Sequence, residues 1–478
     1  MIVARLEETG TLSIIDRLRE SVRLGGGLTK KGKLKKAAQQ RAFRCLETFS
    51  QRVRDLPDSA VRIAGTNTLR VATNAREFVQ QAEAILQHPI EIIAGREEAR
   101  LIYLGVAHGL AAGEGKRLVV DIGGGSTEFI IGQGMNPLRR ESLFTGCVSA
   151  SKKFFGDGIS KQAMQAAQID ASLTLLPQAA RFRAGKWDEA IGCAGTIRAI
   201  RNILHEEGWC NSGIEREALY KLRKVVIKAG HEDKLELKGL SESRRPVLAG
   251  GLSVLIAVFN TLEIDHMKVS DQSMREGLLY DLVGRINHQD VRDATVETIM
   301  LRWAVDTEQA ERVTTTVEQL CRQACPQWGI DDEPFQYLVR WAARLHEIGL
   351  AVSHSHYHKH GAYLLSNADM QGFSRQEQAL LANLVMNHRG KFRAGEFDQL
   401  MKPFVKPGKQ LCILLRLAVL IHRGRSDATT PEIKLKVNKK HVHLGFPPGW
   451  LDDHSLTLAD LGKEVAYLRK AGYKLSYE

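Results

Sequence analysis

The sequence predicts an α/β protein that continues into a helical region, and three observations carry that prediction. Over the first 285 residues short apolar runs alternate with helix-length segments, as in strands packed between helices. Gly-rich turns close several of those runs, which points to one cleft lined by loops at the end of an open sheet. From about residue 286 to residue 430 the apolar spacing becomes helical throughout.

The most informative stretch is residues 118–132, LVVDIGGGSTEFIIG. Leu118, Val119 and Val120 end in Asp121, and Phe129, Ile130 and Ile131 follow a Gly/Ser/Thr turn. Two buried strands joined by that turn fit the pattern. Glycines let successive backbone N–H groups curl toward one point, and such a nest binds phosphate oxygens. Asp121 leaves the strand end as a hard oxygen ligand suited to Mg²⁺ shared with a phosphate. A plain hairpin needs neither the three glycines nor the Asp. A Walker loop would need a Lys after the glycines and then a helix.

Upstream, residues 1–6 and 12–18 read as strands. Gly25, Gly26 and Gly27 make a turn, and a basic segment containing Lys30, Lys31, Lys33, Lys35 and Lys36 enters a helix through Val53. Those lysines suit a solvated face and a polyanion contact equally. Residues 61–64 form a strand before GTNTLR. Arg70 there has the side chain best shaped for bidentate phosphate contact. Residues 74–87 are helical, 90–93 a strand, and REEAR opens the next helix. Glu97 and Glu98 complement a helix dipole, or one of them deprotonates a water beside a phosphate site.

Downstream come a strand at 138–143, a turn at Thr145-Gly146-Cys147 and a long helix at about 160–184. A strand at 189–191 enters GCAGTIR and a helix whose N-terminus favours anions. Gly195 and Thr196 belong to that turn. An apolar helix at 249–262, a strand at 268–270 and a helix from Ser273 complete the pattern.

Length allows about two to four domains. The net charge of +12 suggests a polyanionic partner. No apolar run reaches membrane-spanning length, and the longest, 411–421, contains Arg416. The N-terminus lacks a secretory signal pattern. Seven cysteines, scattered singly apart from Cys321 and Cys325, fit free thiols in a reducing cytoplasm.

DIGGGSTEFIIG, GTNTLR, REEARLIY, GCAGTIRA and SDQSMREGLLY together resemble the exopolyphosphatase / guanosine pentaphosphate phosphohydrolase family, in register over almost the whole chain. The resemblance implies two ribonuclease-H-like (actin-like) domains at 1–104 and 105–285. It adds an all-helical HD-like domain at 286–430 and a small C-terminal α+β domain at 431–478. It makes Glu98 the general base and places Asp121 and Glu128 around Mg²⁺. Gly123, Gly124, Gly125, Ser126 and Thr127 become the phosphate loop, and Arg70, Gly195 and Thr196 join as substrate contacts. It also implies a homodimer. The family pattern carries a first phosphate loop, of Asp-x-Gly-Ser-Asn-Ser type, between its first two strands. This sequence begins where the second strand is expected. A misplaced start codon or a shortened chain would explain that, with half of the phosphate clamp gone and a sheet edge unpaired.

In the helical region His346-Glu347 stands where HD hydrolases have His-Asp, with His354, His356, His358, His360 and His388 nearby. Glu replaces Asp and no upstream partner His is found, so a metal-free HD-like domain is expected. Residues 388–450 hold 13 Lys/Arg against 4 Asp/Glu without interleaved aromatics, suiting a phosphate track rather than base recognition. A solvated basic surface is the equal alternative. Residues 434–437 and 441–444 read as a hairpin.

The resulting expectation is a cytoplasmic, Mg²⁺-dependent exopolyphosphatase releasing terminal orthophosphate from inorganic polyphosphate. The alternatives are a guanosine pentaphosphate (pppGpp) 5′-phosphohydrolase forming guanosine tetraphosphate (ppGpp), and a non-hydrolytic polyphosphate or alarmone sensor. Nucleic acid is not an expected partner. Peripheral contact with the inner membrane stays open.

Overall fold

The computed structural model describes residues 1–7, 12–110, 113–287, 289–330, 333–426 and 431–478. The chain divides into two compact units, Met1–Asp290 and Val291–Glu478.

The first unit opens with a hairpin of β1 (Ile2–Leu6) and β2 (Leu12–Arg17), then α1 (Lys36–Val53). The expected strand at 61–64 shortens to β3 (Ala64–Gly65), which runs into α2 (Asn67–Val71) and α3 (Ala75–Leu86). A two-residue β4 (Glu91–Ile92) pairs parallel with β3 and leads into α4 (Gly95–His108). The β1–β2 and β3–β4 pairs form separate sheets, with no ladder between them among the described residues.

A six-stranded sheet follows, built from β5 (Lys116–Ile122), β6 (Thr127–Gln133), β7 (Asn136–Leu143), β8 (Glu189–Cys193), β9 (Ile214–Glu215) and β10 (His266–Val269). Its order is β7-β6-β5-β8-β10-β9. The helices between them are α5 (Cys147–Phe154), α6 (Lys161–Phe182), α7 (Ala194–Glu206), α8 (Arg216–Ala229), α9 (Leu248–Thr261) and α10 (Met274–Ile286). β5 and β6 are buried along nearly their whole length, which explains why they read as unbroken apolar runs. β9 and α8 had no counterpart in the sequence reading. Two residues are too few for a strand period to register.

Arg62, Arg100 and Arg285 surround the buried Asp281 of α10, and Arg62 also binds Glu91 of β4 at 3.0 Å. The same α10 crosses α4 through two glycines. A Cβ on Gly277 would stand 1.8 Å from the Leu101 carbonyl oxygen, and one on Gly105 would stand 2.0 Å from the Ser273 oxygen. Only glycine permits that approach, and it brings the start of α10 to the helix that carries Glu98.

The second unit contains α11 (Val291–Arg302), α12 (Thr307–Trp328), α13 (Glu333–Leu345), α14 (Tyr357–Asn367), α15 (Arg375–Asn387) and α16 (Val405–Ile421). A three-stranded sheet of β11 (Lys434–Asn438), β12 (His441–Gly445) and β13 (Lys474–Tyr477) is joined by α17 (Trp450–Asp453) and α18 (Ser455–Lys470). β11 and β12 are the expected hairpin. This sheet shares one apolar core with the helices, and Gln323 and Gln327 of α12 accept from the Leu435 and Val437 amides. The boundaries expected at residues 104 and 430 therefore fall inside the two units.

The expectation of seven free thiols needs correction. Cys321 and Cys325 are disulfide-bonded, because a spacing of four places both on one face of α12. The other five are free.

Candidate active site

The turn between β5 and β6 is fixed from two sides. Gly123 N–H donates to Ser126 O at 2.9 Å. The first amides of α5 donate to the carbonyls of Gly123 and Gly124, at 2.9 Å from Cys147 and 2.8 Å from Val148. Those bonds draw the loop's carbonyls toward α5. Asn67, at the start of α2, lies against Gly125, and a Cβ there would be 2.5 Å from Asn67 Nδ2. Asn67 Oδ1 is buried and finds no hydrogen-bond partner among the described residues. The GTNTLR turn thus closes on the glycine loop.

Asp121 and Glu128 are opposed residues in the β5–β6 ladder, and both are buried. Ser273 Oγ donates to Asp121 Oδ2 at 2.9 Å, and Cys193 Sγ lies 3.4 Å from the same oxygen. Ser142 Oγ donates to Glu128 Oε1 at 2.8 Å. Glu98, in the first turn of α4, takes a 2.7 Å bond from Arg70 Nη1, which also donates to the Ile93 carbonyl at 3.0 Å. Burial pushes the Glu98 carboxyl up, Arg70 pulls it down, and Asp121 pushes it up again. Burial likewise raises Asp121. Glu128 stands well above the usual range through burial, reinforced by the charges of Glu98 and Asp121. Three buried carboxylates here oppose one another's ionisation, with Arg70 the cation bonded to Glu98.

That donor set fits a divalent cation. The acids are hard oxygen ligands with more negative charge than Arg70 neutralises. Among the described residues no group of three or more His, Cys, Asp or Glu side chains is placed to hold a metal ion. Mg²⁺ is commonly held by one or two carboxylates and completed by substrate phosphate and water.

The structure separates the two neighbouring acids of α4. Glu97 turns to Arg100, at 2.8 and 2.9 Å, and joins the Asp281 network. Glu98 turns to Arg70, close enough to Asp121 and Glu128 for the charges to couple. The Thr127 hydroxyl donates to the Thr145 carbonyl at 2.6 Å, holding the turn before α5. Arg70 is bonded to Glu98.

Gly195 and Thr196 begin α7 after Ala194, whose φ of 62° is left-handed. A Cβ on Gly195 would stand 1.8 Å from Arg244 Nη2, so glycine lets that guanidinium reach the turn. Arg244 is lowered by burial and by Arg19, Arg198 and Arg23. Arg275 is lowered by burial and by Arg198, Arg19 and Arg17. A cavity of about 310 Å³ lined by Arg19, Gly195, Arg198, Ser273 and Arg275 adjoins Asp121's partner Ser273. This arginine cluster was not in the sequence reading, because its members come from segments far apart in the chain: Arg19 follows β2, Arg198 lies in α7, Arg244 precedes α9 and Arg275 lies in α10.

A model described as the Ppx/GppA phosphatase family matches residues 2–286, and one described as Ppx/GppA phosphatase, domain III, matches residues 291–465. The chain belongs to the Ppx/GppA phosphatase family. It is therefore a hydrolase of phosphatase type. A guanosine-5′-triphosphate,3′-diphosphate pyrophosphatase of Aeromonas hydrophila is 38% identical over 480 residues, covering 99% of this chain and 95% of that one. The protein of the same description from Pseudoalteromonas atlantica is 37% identical over 470 residues, covering 98% and 93%. In fold, this Ppx/GppA member resembles an exopolyphosphatase from Cytophaga hutchinsonii, with a TM-score of 0.52 and 23% identity over 59% of this chain and 94% of that one. An exopolyphosphatase-like protein gives a TM-score of 0.53 at 23% identity, covering 59% and 94%.

The sequence reading leaned to the polyphosphatase side, and the relatives at 37–38% identity favour its guanosine pentaphosphate alternative. Both chemistries need the same carboxylates and loop, so those motifs could not discriminate. No helix among the described residues is long and apolar enough to cross a membrane.

Proposed function

We propose that this protein is a guanosine pentaphosphate 5′-phosphohydrolase, releasing the terminal 5′-phosphate of pppGpp as orthophosphate and leaving ppGpp. The observation that carries it is the electrostatic coupling of the buried Glu98, Asp121 and Glu128 beside the glycine loop. The relatives' activity supports the choice of substrate.

The amides of residues 124–126 take the oxygens of the terminal phosphate. Glu98, oriented by Arg70, accepts the proton of a water placed in line with the terminal phosphorus. The water oxygen bonds to phosphorus as the bond to the bridging oxygen breaks, and that oxygen leaves on the β-phosphate. Asp121 and Glu128 would hold Mg²⁺, which supplies charge neutralisation on the transferring and leaving oxygens. Ser273 keeps Asp121 aimed. Arg19, Arg198, Arg244 and Arg275 receive the remaining phosphates, including the 3′-diphosphate, as bidentate donors.

The competing substrate is long-chain inorganic polyphosphate. Initial rates on both, in the same buffer with Mg²⁺, test the proposal. The proposal expects kcat/KM on pppGpp to exceed that on polyphosphate chain ends by at least about tenfold. A preference for polyphosphate overturns it. Arg244→Ala should raise KM for pppGpp more than it raises KM for a short polyphosphate lacking the 3′-diphosphate.

A further inference from the structure

Asn67 stands between the residue that takes the proton and the loop that takes the phosphate. Its neighbour Thr66 helps to hold the Glu98 carboxyl down through its side chain. Three residues along, Arg70 Nη1 donates to the same carboxyl at 2.7 Å. Asn67 itself meets the glycine loop. A Cβ on Gly125 would lie 2.5 Å from Asn67 Nδ2, so glycine at that place lets the carboxamide close on the loop. Gly146 pins the same backbone, since a Cβ there would lie 2.7 Å from Gly124 O and from Gly125 N. The other end of the carboxamide, Oδ1, is buried and has no hydrogen-bond partner among the described residues. Folded chains rarely leave an amide oxygen buried and unpaired, and packing gives no reason for it here. A leucine has nearly the same shape and would bury no unpaired oxygen.

We infer that Asn67 is a further catalytic residue of the phosphate release proposed above, its Oδ1 accepting one hydrogen bond from the attacking water while Glu98 accepts the other.

A water carries two protons, and only one of them goes to the base. Held by a single acceptor, the molecule still turns about that bond and its lone pair sweeps past the phosphorus. A second, fixed acceptor stops the turning and aims the lone pair. A carboxamide suits the task. Its oxygen accepts hydrogen bonds but takes no proton at neutral pH, so it does not compete with Glu98. It carries no charge, so it neither repels a phosphate chain nor adds to the mutual opposition of Glu98, Asp121 and Glu128. Its Nδ2 end, seated on Gly125, ties the direction of Oδ1 to the loop that receives the phosphate oxygens. One short side chain thereby sets the place of the nucleophile against that of the phosphorus. In the step itself the water oxygen bonds to phosphorus and the bond to the bridging oxygen breaks. Glu98 takes one proton, and the proton held by Asn67 stays on the oxygen that departs in orthophosphate. This role rests on Glu98 as the base and not on which phosphate chain is the substrate, because the attacking water is the same for both.

Asn67→Leu in the full chain tests this, with Asn67→Ala as the variant that adds no bulk. In each, kcat for phosphate release with Mg²⁺ should fall about 100-fold while KM stays within about threefold of wild type. The fold-loss should be the same on pppGpp and on polyphosphate. Orthovanadate given with ppGpp takes up the five-coordinate geometry of the transferring group. Its inhibition constant should rise by about the factor by which kcat falls, while calorimetric binding of ppGpp alone stays within about threefold. Where polyphosphate is the better substrate, tripolyphosphate takes the place of ppGpp in both measurements. The melting temperature of Asn67→Leu should equal or exceed that of wild type, because an unpaired buried oxygen is removed. A kcat within about threefold of wild type in a folded variant, a loss confined to KM, an unchanged vanadate constant, or a lowered melting temperature with weakened ppGpp binding overturns the inference. Glu98→Gln reads the base separately, and a preference for polyphosphate overturns the substrate reading alone.

Discussion

At Glu98 burial and the Arg70 guanidinium pull the carboxyl in opposite directions, and the balance leaves it above the ordinary range. A general base works only when ionised, so activity should fall as pH drops through that raised value. The acid limb of kcat/KM should therefore lie above the pH at which a free glutamate titrates, about 4.3. Arg70→Ala removes the main force holding the carboxyl down, and the limb should move up by about one pH unit or more. A pH–rate profile of the variant checks both the direction and the pairing. A structural role for Arg70 alone would lower activity without moving the limb. Asp281 makes a different statement. Arg62, Arg100 and Arg285 hold its carboxyl far below the usual range despite burial. Such a group stabilises the fold above the unfolded-state value near 3.9 and loses that contribution as pH falls through its depressed one. Asp281→Asn should cost about 3 kcal/mol or more at pH 7, because three guanidiniums lose one of their carboxylate partners. Its thermal-melting deficit against wild type should shrink in strong acid.

At the scale of elements, the crossing of α4 and α10 ties Glu98 to Ser273, the hydrogen-bond partner of Asp121. Gly277→Ala would push a methyl into the Leu101 carbonyl. Overpacking of this kind costs about 2 kcal/mol. The variant should lose both melting temperature and turnover, since α4 carries Glu98 and Ser273 caps α10. Loss of stability with unchanged kcat would show that the crossing does not set the site. The glycine loop was legible beforehand because Asp121 and three glycines interrupt an apolar run, which ordinary packing does not require. The choice between Glu97 and Glu98 was not, since one residue is about 100° of rotation on a helix and only the packing of α4 decides which acid faces Arg70 and the other carboxylates. Nor was Arg244, whose meaning comes from Gly195 opposite it and not from its own neighbours in sequence.

Over the whole molecule, several charges that looked available are spent inside the second unit. Arg416 is buried on Glu464 and Arg423 pairs with Asp460. Lys409 pairs with Asp398. Arg425 places Nη2 at 2.6 and 2.7 Å from the two oxygens of Glu347. The basic surplus of residues 388–450 is therefore smaller at the surface than the sequence suggested. The same unit buries histidines. Burial lowers His346 and His388, and lowers His358 and His422 to about 4. The unfolded chain binds protons at these sites from about pH 6.5 downward while the folded one does not. This unit should consequently lose melting temperature as pH falls from 6.5 toward 4, and His388→Phe should flatten that slope. A melting temperature that is flat over this range would contradict the assignment of neutral buried rings.

The account rests on Glu98 as the residue that takes the water's proton. Single-turnover release of phosphate from pppGpp by Glu98→Gln, measured alongside equilibrium binding of pppGpp, tests it most directly. A loss of about 10³-fold in the release rate with binding within a few-fold of wild type is the expected result. A variant that still releases phosphate within tenfold of wild type would contradict it.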